Sequence, residues 1–171
     1  MTDRLILETK FAVTDAGEIE ALAWPFDTPD RVGDMIQKGA FANVNLPLTM
    51  LFGHDQNDPV GVWTEAVEAP DGLRLKGKLL VDDVVRAREV RALVKSGAVR
   101  GISIGFMTRK ATPRKGGRTI TNLELLEASL VAIPMHPGAR ITSAKSAVKA
   151  LAIADAINRA TAHFSKRTPN T

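Results

Sequence analysis

Gly101-Ile102-Ser103-Ile104-Gly105-Phe106-Met107-Thr108-Arg109-Lys110-Ala111-Thr112-Pro113 is the stretch on which the fold turns. A serine stands between two glycines in an otherwise apolar run, which reads as a strand over residues 99–106. Glycine weakens a strand interior and commonly marks a place where another backbone or a ligand comes close. A substrate chain is one such visitor; a serine bonded to a neighbouring carbonyl inside a buried sheet is the plainer alternative. Gly-x-Ser-x-Gly is also the pattern of a nucleophile elbow, but that device needs a helix directly after the turn. Here Gly105 is followed by basic residues, Pro113 and the pair Gly116-Gly117, which cannot open one. The expectation is therefore a strand, then an exposed basic loop holding Arg109, Lys110, Arg114, Lys115 and Arg118, then a second strand over residues 120–133 with an irregularity in it.

Upstream, Ala87, Val90, Leu93 and Val94 recur at helical spacing, with Asp82 placed to cap the helix and Gly97 placed to stop it. Before that, Ala69-Pro70-Asp71-Gly72 separates two apolar runs, 60–63 and 73–80, and predicts a tight antiparallel hairpin. Residues 46–52 are apolar and end at Gly53, so a strand should deliver His54 to its edge, ahead of a turn over residues 55–59. Residues 18–24 alternate as a half-buried strand does, and Pro25 ends it. In the strand after the basic loop, Leu123, Leu125 and Glu127 share one face by the two-residue period. Residues 143–171 are rich in alanine and read as a helix, with Ala150, Ile153, Ile157, Ala160 and Phe164 at three- and four-residue steps.

Composition narrows the chemistry. With 171 residues, 44 % hydrophobic and 25 % charged, the chain has the make-up of one globular domain. No run approaches the roughly 18 apolar residues of a membrane span, and the first residues do not read as an export signal, so export is not expected. The absence of cysteine excludes disulfides, thiolate metal sites and a cysteine nucleophile, leaving hydroxyl, amine or carboxylate for any covalent step. The pI near 9.6 owes its excess to the stretch from Arg140 onward, where six basic residues meet the single acid Asp155. The body is balanced and no aromatic residues interleave the basic cluster, so nucleic acid is not the expected partner. No histidine and carboxylate set has ligand spacing, and neither metal nor cofactor is expected.

Three histidines are present: His54, His136 and His163. His54 alone precedes Ser103 at the end of a core strand, where a base could be held rigidly. His136 falls in a loop between Met135 and Pro137 and stays a candidate. Glu127 is a charge on an apolar face and needs a partner. That partner is either an arginine such as Arg100 or a histidine base that Glu127 would orient.

Four blocks in order complete the picture: Gly33-Asp34-Met-Ile-Gln-Lys-Gly39-Ala40-Phe41; Leu51-Phe-Gly-His54-Asp55 with Pro59-Val-Gly61; Gly101-Ile-Ser103-Ile-Gly105-Phe106; and Leu126-Glu127-Ala-Ser129-Leu-Val-Ala-Ile-Pro134. With these blocks the chain, from about residue 11 to 139, resembles the prohead (capsid maturation) serine proteases of tailed bacteriophages, which share a fold with the herpesvirus assemblins. The resemblance implies a small antiparallel β-barrel of assemblin type surrounded by helices, a mostly β, α+β fold, with a protease domain over residues 1–142 and a basic helical tail over 143–171. It implies Ser103 as nucleophile, His54 as base, and Glu127 on the strand that supplies the third member, with His136 leaving that position open. It places the oxyanion donors in the loop from Pro134 to Gly138. The implied activity is serine endopeptidase action on the major capsid protein and its scaffolding segment, with self-cleavage, inside the procapsid in the bacterial cytoplasm. The tail would dock the enzyme into the shell or mediate self-association. A non-catalytic scaffold or capsid-binding protein that kept the fold is the alternative.

Overall fold

The computed structural model describes residues 13–142. Within them the chain forms β1 (Glu18–Pro25), β2 (Met35–Ile36), β3 (Leu48–Phe52), β4 (Pro59–Ala69), β5 (Gly72–Leu79), α1 (Val85–Ser96), β6 (Gly101–Arg114), β7 (Gly117–Val131) and β8 (Arg140–Thr142). The sheet runs β7-β3-β4-β5-β1-β8-β6 and closes on itself because β6 also pairs with β7; the short β2 pairs with β7 on the edge that β3 uses, nearer the β6–β7 turn. This is a seven-stranded closed barrel, mostly β. Closure removes the open edges that would template pairing with other chains.

Where the expectations rest on local pattern they hold. β4 and β5 meet at Pro70 and Asp71, and β1 ends at Pro25. Helix α1 buries Ala87, Val90 and Val94 and stops at Gly97, whose left-handed φ of 78° lets its N–H reach the Val94 carbonyl. The N-terminus differs: the cap is Val84, with no side-chain hydrogen bond, and Asp82 sits in the preceding turn.

Three larger differences follow from tertiary pairing. The expected basic loop is strand: β6 and β7 continue to Arg114 and Gly117 as one long hairpin with its turn at Lys115-Gly116. The basic residues of this hairpin are exposed, apart from the half-buried Arg114, so they stay solvated while the backbone remains paired. The barrel is not wholly antiparallel either, since β2 and β3 both run parallel to β7. Parallel neighbours need a long crossover, which β4 through β6 supplies. The expected ring of helices is absent among the described residues, where α1 is the one α-helix. The tail over 143–171 lies outside them.

The core is lined by alternate residues of each strand, including Leu75, Met50, Ile102 and Leu130, all fully buried. Trp63 lies at its centre with its indole N–H donating to the Ala128 carbonyl at 2.9 Å, which satisfies the ring's polar atom. Burying a side chain of this class contributes about 1.5–3 kcal/mol.

The first sequence block proves to be structural. Glu68 accepts from the Gly39 and Phe41 N–H groups, and Asp34 pairs with Arg118 near the hairpin tip. There a Cβ on Gly33 would lie 1.8 Å from the Gly116 carbonyl oxygen, so only glycine allows the loop to dock.

Candidate active site

The site is built on three adjacent strands. β3 ends in a turn at Gly53 and His54, both with positive φ (65° and 64°), closed by Asp55 N–H on the Phe52 carbonyl. A positive φ is uncommon outside glycine and tends to persist where surrounding contacts hold it. Here the His54 N–H donates to Ser129 Oγ at 3.1 Å and the Gly53 N–H to the Leu130 carbonyl at 3.0 Å. From the other side, Arg86 of α1 binds Asp58 and lies 4.7 Å above the Phe52 ring, bracing the same turn.

β7 presents Glu127 through a bulge. Gly105 is opposite Glu127, but the next residue of β6, Phe106, is opposite Leu125, so Leu126 is the extra residue and stands exposed. A bulge shifts the two-residue phase. Leu123 and Leu125 therefore face the core while Glu127 and Ser129 face the other way, and Ala128 and Leu130 take over the core side. The reading that put Glu127 on the Leu123 and Leu125 face is thus corrected: Glu127 is on the outer face of the barrel wall.

There Glu127 Oε1 lies 2.7 Å from His54 Nδ1, and Oε2 accepts from the Ser129 hydroxyl at 2.6 Å. A carboxylate can only accept, so the proton of the first contact belongs to Nδ1. Nε2 is left to act as the acceptor. Glu127 is mostly buried and His54 half exposed. Arg100 is not the partner of Glu127.

Ser103 is opposite Ser129 in the β6–β7 ladder, on the same face as Glu127, and is 6 % exposed. Directly opposed residues have Cβ atoms about 4.5–5.5 Å apart. No hydrogen bond of Ser103 Oγ to His54 is found among the described residues. The flanking glycines have visitors from within the chain: a Cβ on Gly105 would lie 2.4 Å from Glu127 Oε1, and one on Gly101 would lie 2.7 Å from the Pro134 ring. The close approach read from the sequence is real, but what approaches is the site's own carboxylate and loop.

His136 is bonded to neither His54 nor Glu127. It is buried, accepts from the Gly138 N–H at Nδ1 (3.0 Å), and reaches the Thr28 carbonyl with Nε2 (3.2 Å), which makes it a neutral ring that pins the loop after β7. Burial holds its pKa below the ordinary histidine value, against the opposing pull of the Thr28 carbonyl and the Asp30 charge. It lines a small pocket with Ser103, Trp24 and Met135, but its ring nitrogens are committed to the loop. Ser129 is the residue that sequence reasoning passed over. Its signal was available in its two-residue spacing from Glu127, but its importance depends on a turn that comes from another strand.

Residues 6–152 match the family described as Caudovirus prohead serine protease. This chain belongs to that family. It is 33 % identical over 150 residues to the prohead protease of Enterobacteria phage HK97, covering 81 % of this chain and 66 % of that protein. It is 35 % identical over 127 residues to the capsid polyprotein of Pseudomonas phage PAJU2, covering 70 % of this chain. The match spans 19 % of that polyprotein, so the chain corresponds to part of its relatives' length. The capsid assembly protease of bacteriophage T4 superposes with a TM-score of 0.55 at 13 % identity, over 67 % of this chain and 81 % of that one, a likeness of fold. The KSHV protease overlaps at a TM-score of 0.46 and 12 % identity, over 72 % of this chain and 63 % of that one. Membership of the prohead protease family makes the site a candidate peptidase centre of the serine type.

Proposed function

We propose that this chain is a serine endopeptidase that processes the major capsid protein and its scaffolding segment during prohead maturation, and that it also cleaves itself. One observation carries the reading: Glu127, on the strand next to the glycine-flanked Ser103, is joined at 2.7 Å to His54 at the end of the strand beyond, and Ser129 holds both.

In this reading Ser103 Oγ attacks the scissile carbonyl while His54 Nε2 takes its proton. Glu127 keeps the ring proton on Nδ1 and stabilises the imidazolium that forms. His54 then protonates the leaving amine, and a water molecule repeats the sequence on the acyl-enzyme. The nucleophile and base need not be in contact beforehand, since catalytic hydrogen bonds commonly tighten only when substrate is bound. In the loop from Pro134 to Gly138 the two prolines have no N–H and the Gly138 N–H is bonded to His136, so the backbone N–H groups of Met135 and His136, which line a pocket with Ser103, are our candidates for the oxyanion donors. The setting is the assembling procapsid in the host cytoplasm, and the tail over 143–171 serves as the docking segment.

Co-expression with the capsid protein tests the proposal. A capsid chain shortened at a discrete junction supports it. A capsid protein of unchanged mass with the wild-type enzyme present would favour a non-catalytic scaffold.

A further inference from the structure

The outer face that carries Ser103 does not end at Glu127. On β6 the alternation continues from Ser103 through Gly105 to Met107, and on β7 Glu124 is opposite Met107. Met107 and Leu126 are both exposed, leaving two apolar side chains beside this path. The row leads toward a gap in the barrel wall. β2 and β3 both bind β7, but the β2 pairing ends with Ile36 opposite Ile120 and the β3 pairing begins with Thr49 opposite Glu127, so residues 121–126 have no strand partner beyond β6 among the described residues.

The connection between β2 and β3 arches over this gap and leaves a pocket of about 270 Å³. Asn43 and Asn45 line it from the connection, Asn122, Leu123 and Glu124 from β7, and Arg109 from β6. Arg109 and Glu124 are paired with each other, so the charges in the pocket are internally balanced. What remains is three carboxamides, each able to donate and to accept. A charged guest would have to break the Arg109–Glu124 pair, whereas a neutral polar guest need not.

Strand rise sets the scale. Ser103 to Met107 is about 13 Å at roughly 3.3 Å per residue, and Glu124, opposite Met107, lines the pocket. We propose that the substrate chain lies extended from Ser103 toward Met107, passing over the Glu127 carboxylate that covers Gly105, and seats a neutral hydrogen-bonding side chain, a carboxamide or a hydroxyl, in the Asn43, Asn45 and Asn122 pocket, roughly four to six residues from the scissile bond. This rests on Ser103 being the nucleophile. The pocket then acts as a specificity subsite, because a site built to hydrogen-bond its guest rejects an analogue that leaves its polar groups unpaired.

The test uses the full chain and two synthetic peptides spanning the capsid junction mapped by mass spectrometry, one reaching three residues to either side and one reaching seven. Wild-type kcat/KM should be on the order of tenfold or more higher for the long peptide, since remote contacts contribute binding energy to the transition state. Asn45→Ala, on an exposed loop, and Asn122→Ala should each collapse that ratio toward one. Replacing the guest residue in the long peptide by leucine should lower its kcat/KM similarly, with little further loss in Asn45→Ala. Unchanged long-to-short ratios in both variants would overturn the subsite while leaving the peptidase reading intact. Cleavage of either peptide by Ser103→Ala would overturn the underlying reading and the subsite with it.

Discussion

Glu127 Oε1 lies 2.7 Å from His54 Nδ1, across 73 residues of chain, and the space its carboxylate occupies is the space a side chain on Gly105 would need. One glycine thus fixes where a charged group can sit. Gly105→Ala should fold, because its backbone is ordinary strand, yet its methyl would meet Glu127 Oε1 at 2.4 Å and push it off the imidazole. A loss of activity on the order of 10–100-fold is expected, since small misplacements of a positioned group cost this much. Wild-type cleavage rates in Gly105→Ala, with an unchanged melting temperature, would show that the contact does not matter.

Ser129 joins His54 and Glu127 by accepting from the His54 N–H and donating to the Glu127 carboxylate. Ser129→Ala leaves both without that partner in a buried setting, at a cost of about 1–3 kcal/mol in stability. Urea denaturation should show that loss. Glu127→Gln keeps the shape but weakens control of the tautomer, and its rate should fall by roughly 10²–10⁴-fold, less than for Ser103→Ala. Equal losses for Glu127→Gln and Ser103→Ala would mean that Glu127 does more than orient the ring.

Stability should depend on pH through His136. Its pKa in the folded chain lies below the ordinary 6.5, chiefly because burial disfavours the charged ring. The unfolded chain therefore binds the extra proton first, so stability rises with pH through this window. The contribution is complete above about pH 6.5 and is lost as pH falls toward the lowered folded value. Asp34 adds a second loss at lower pH: its hydrogen bonds to Arg118 hold its pKa below 3.8, so its contribution fades as pH falls below that value. Melting temperatures between pH 7.5 and 5 should drop for the wild type and drop less for His136→Gln. Parallel curves would assign the pH dependence to other groups.

What could be read from the sequence was what local chemistry decides. Gly97 stops α1, Pro70-Asp71 turns the hairpin, and Ser103 sits on a strand between glycines, each signalled by residues within a few positions. His54 at a strand edge belongs to the same class. The register of β7 does not, because the Leu126 bulge exists only through its pairing with β6, and without it the period places Glu127 on the wrong face. The long hairpin was likewise hidden. Arg109, Lys110, Pro113 and Gly116 have loop character in isolation, and only the continuous β6–β7 ladder makes them strand and tip. His136 and Ser129 could not be sorted by sequence, since one is defined by Thr28 and the other by the backbone of His54.

The central claim is that Ser103 is the nucleophile. Intact-mass measurement of the capsid protein after co-expression with either wild type or Ser103→Ala tests it most directly. The account predicts a capsid chain shortened at one junction with the wild type and a full-length chain with Ser103→Ala, a loss on the order of 10⁴-fold or more, with the variant still folded. A shortened capsid chain in the presence of folded Ser103→Ala would contradict it.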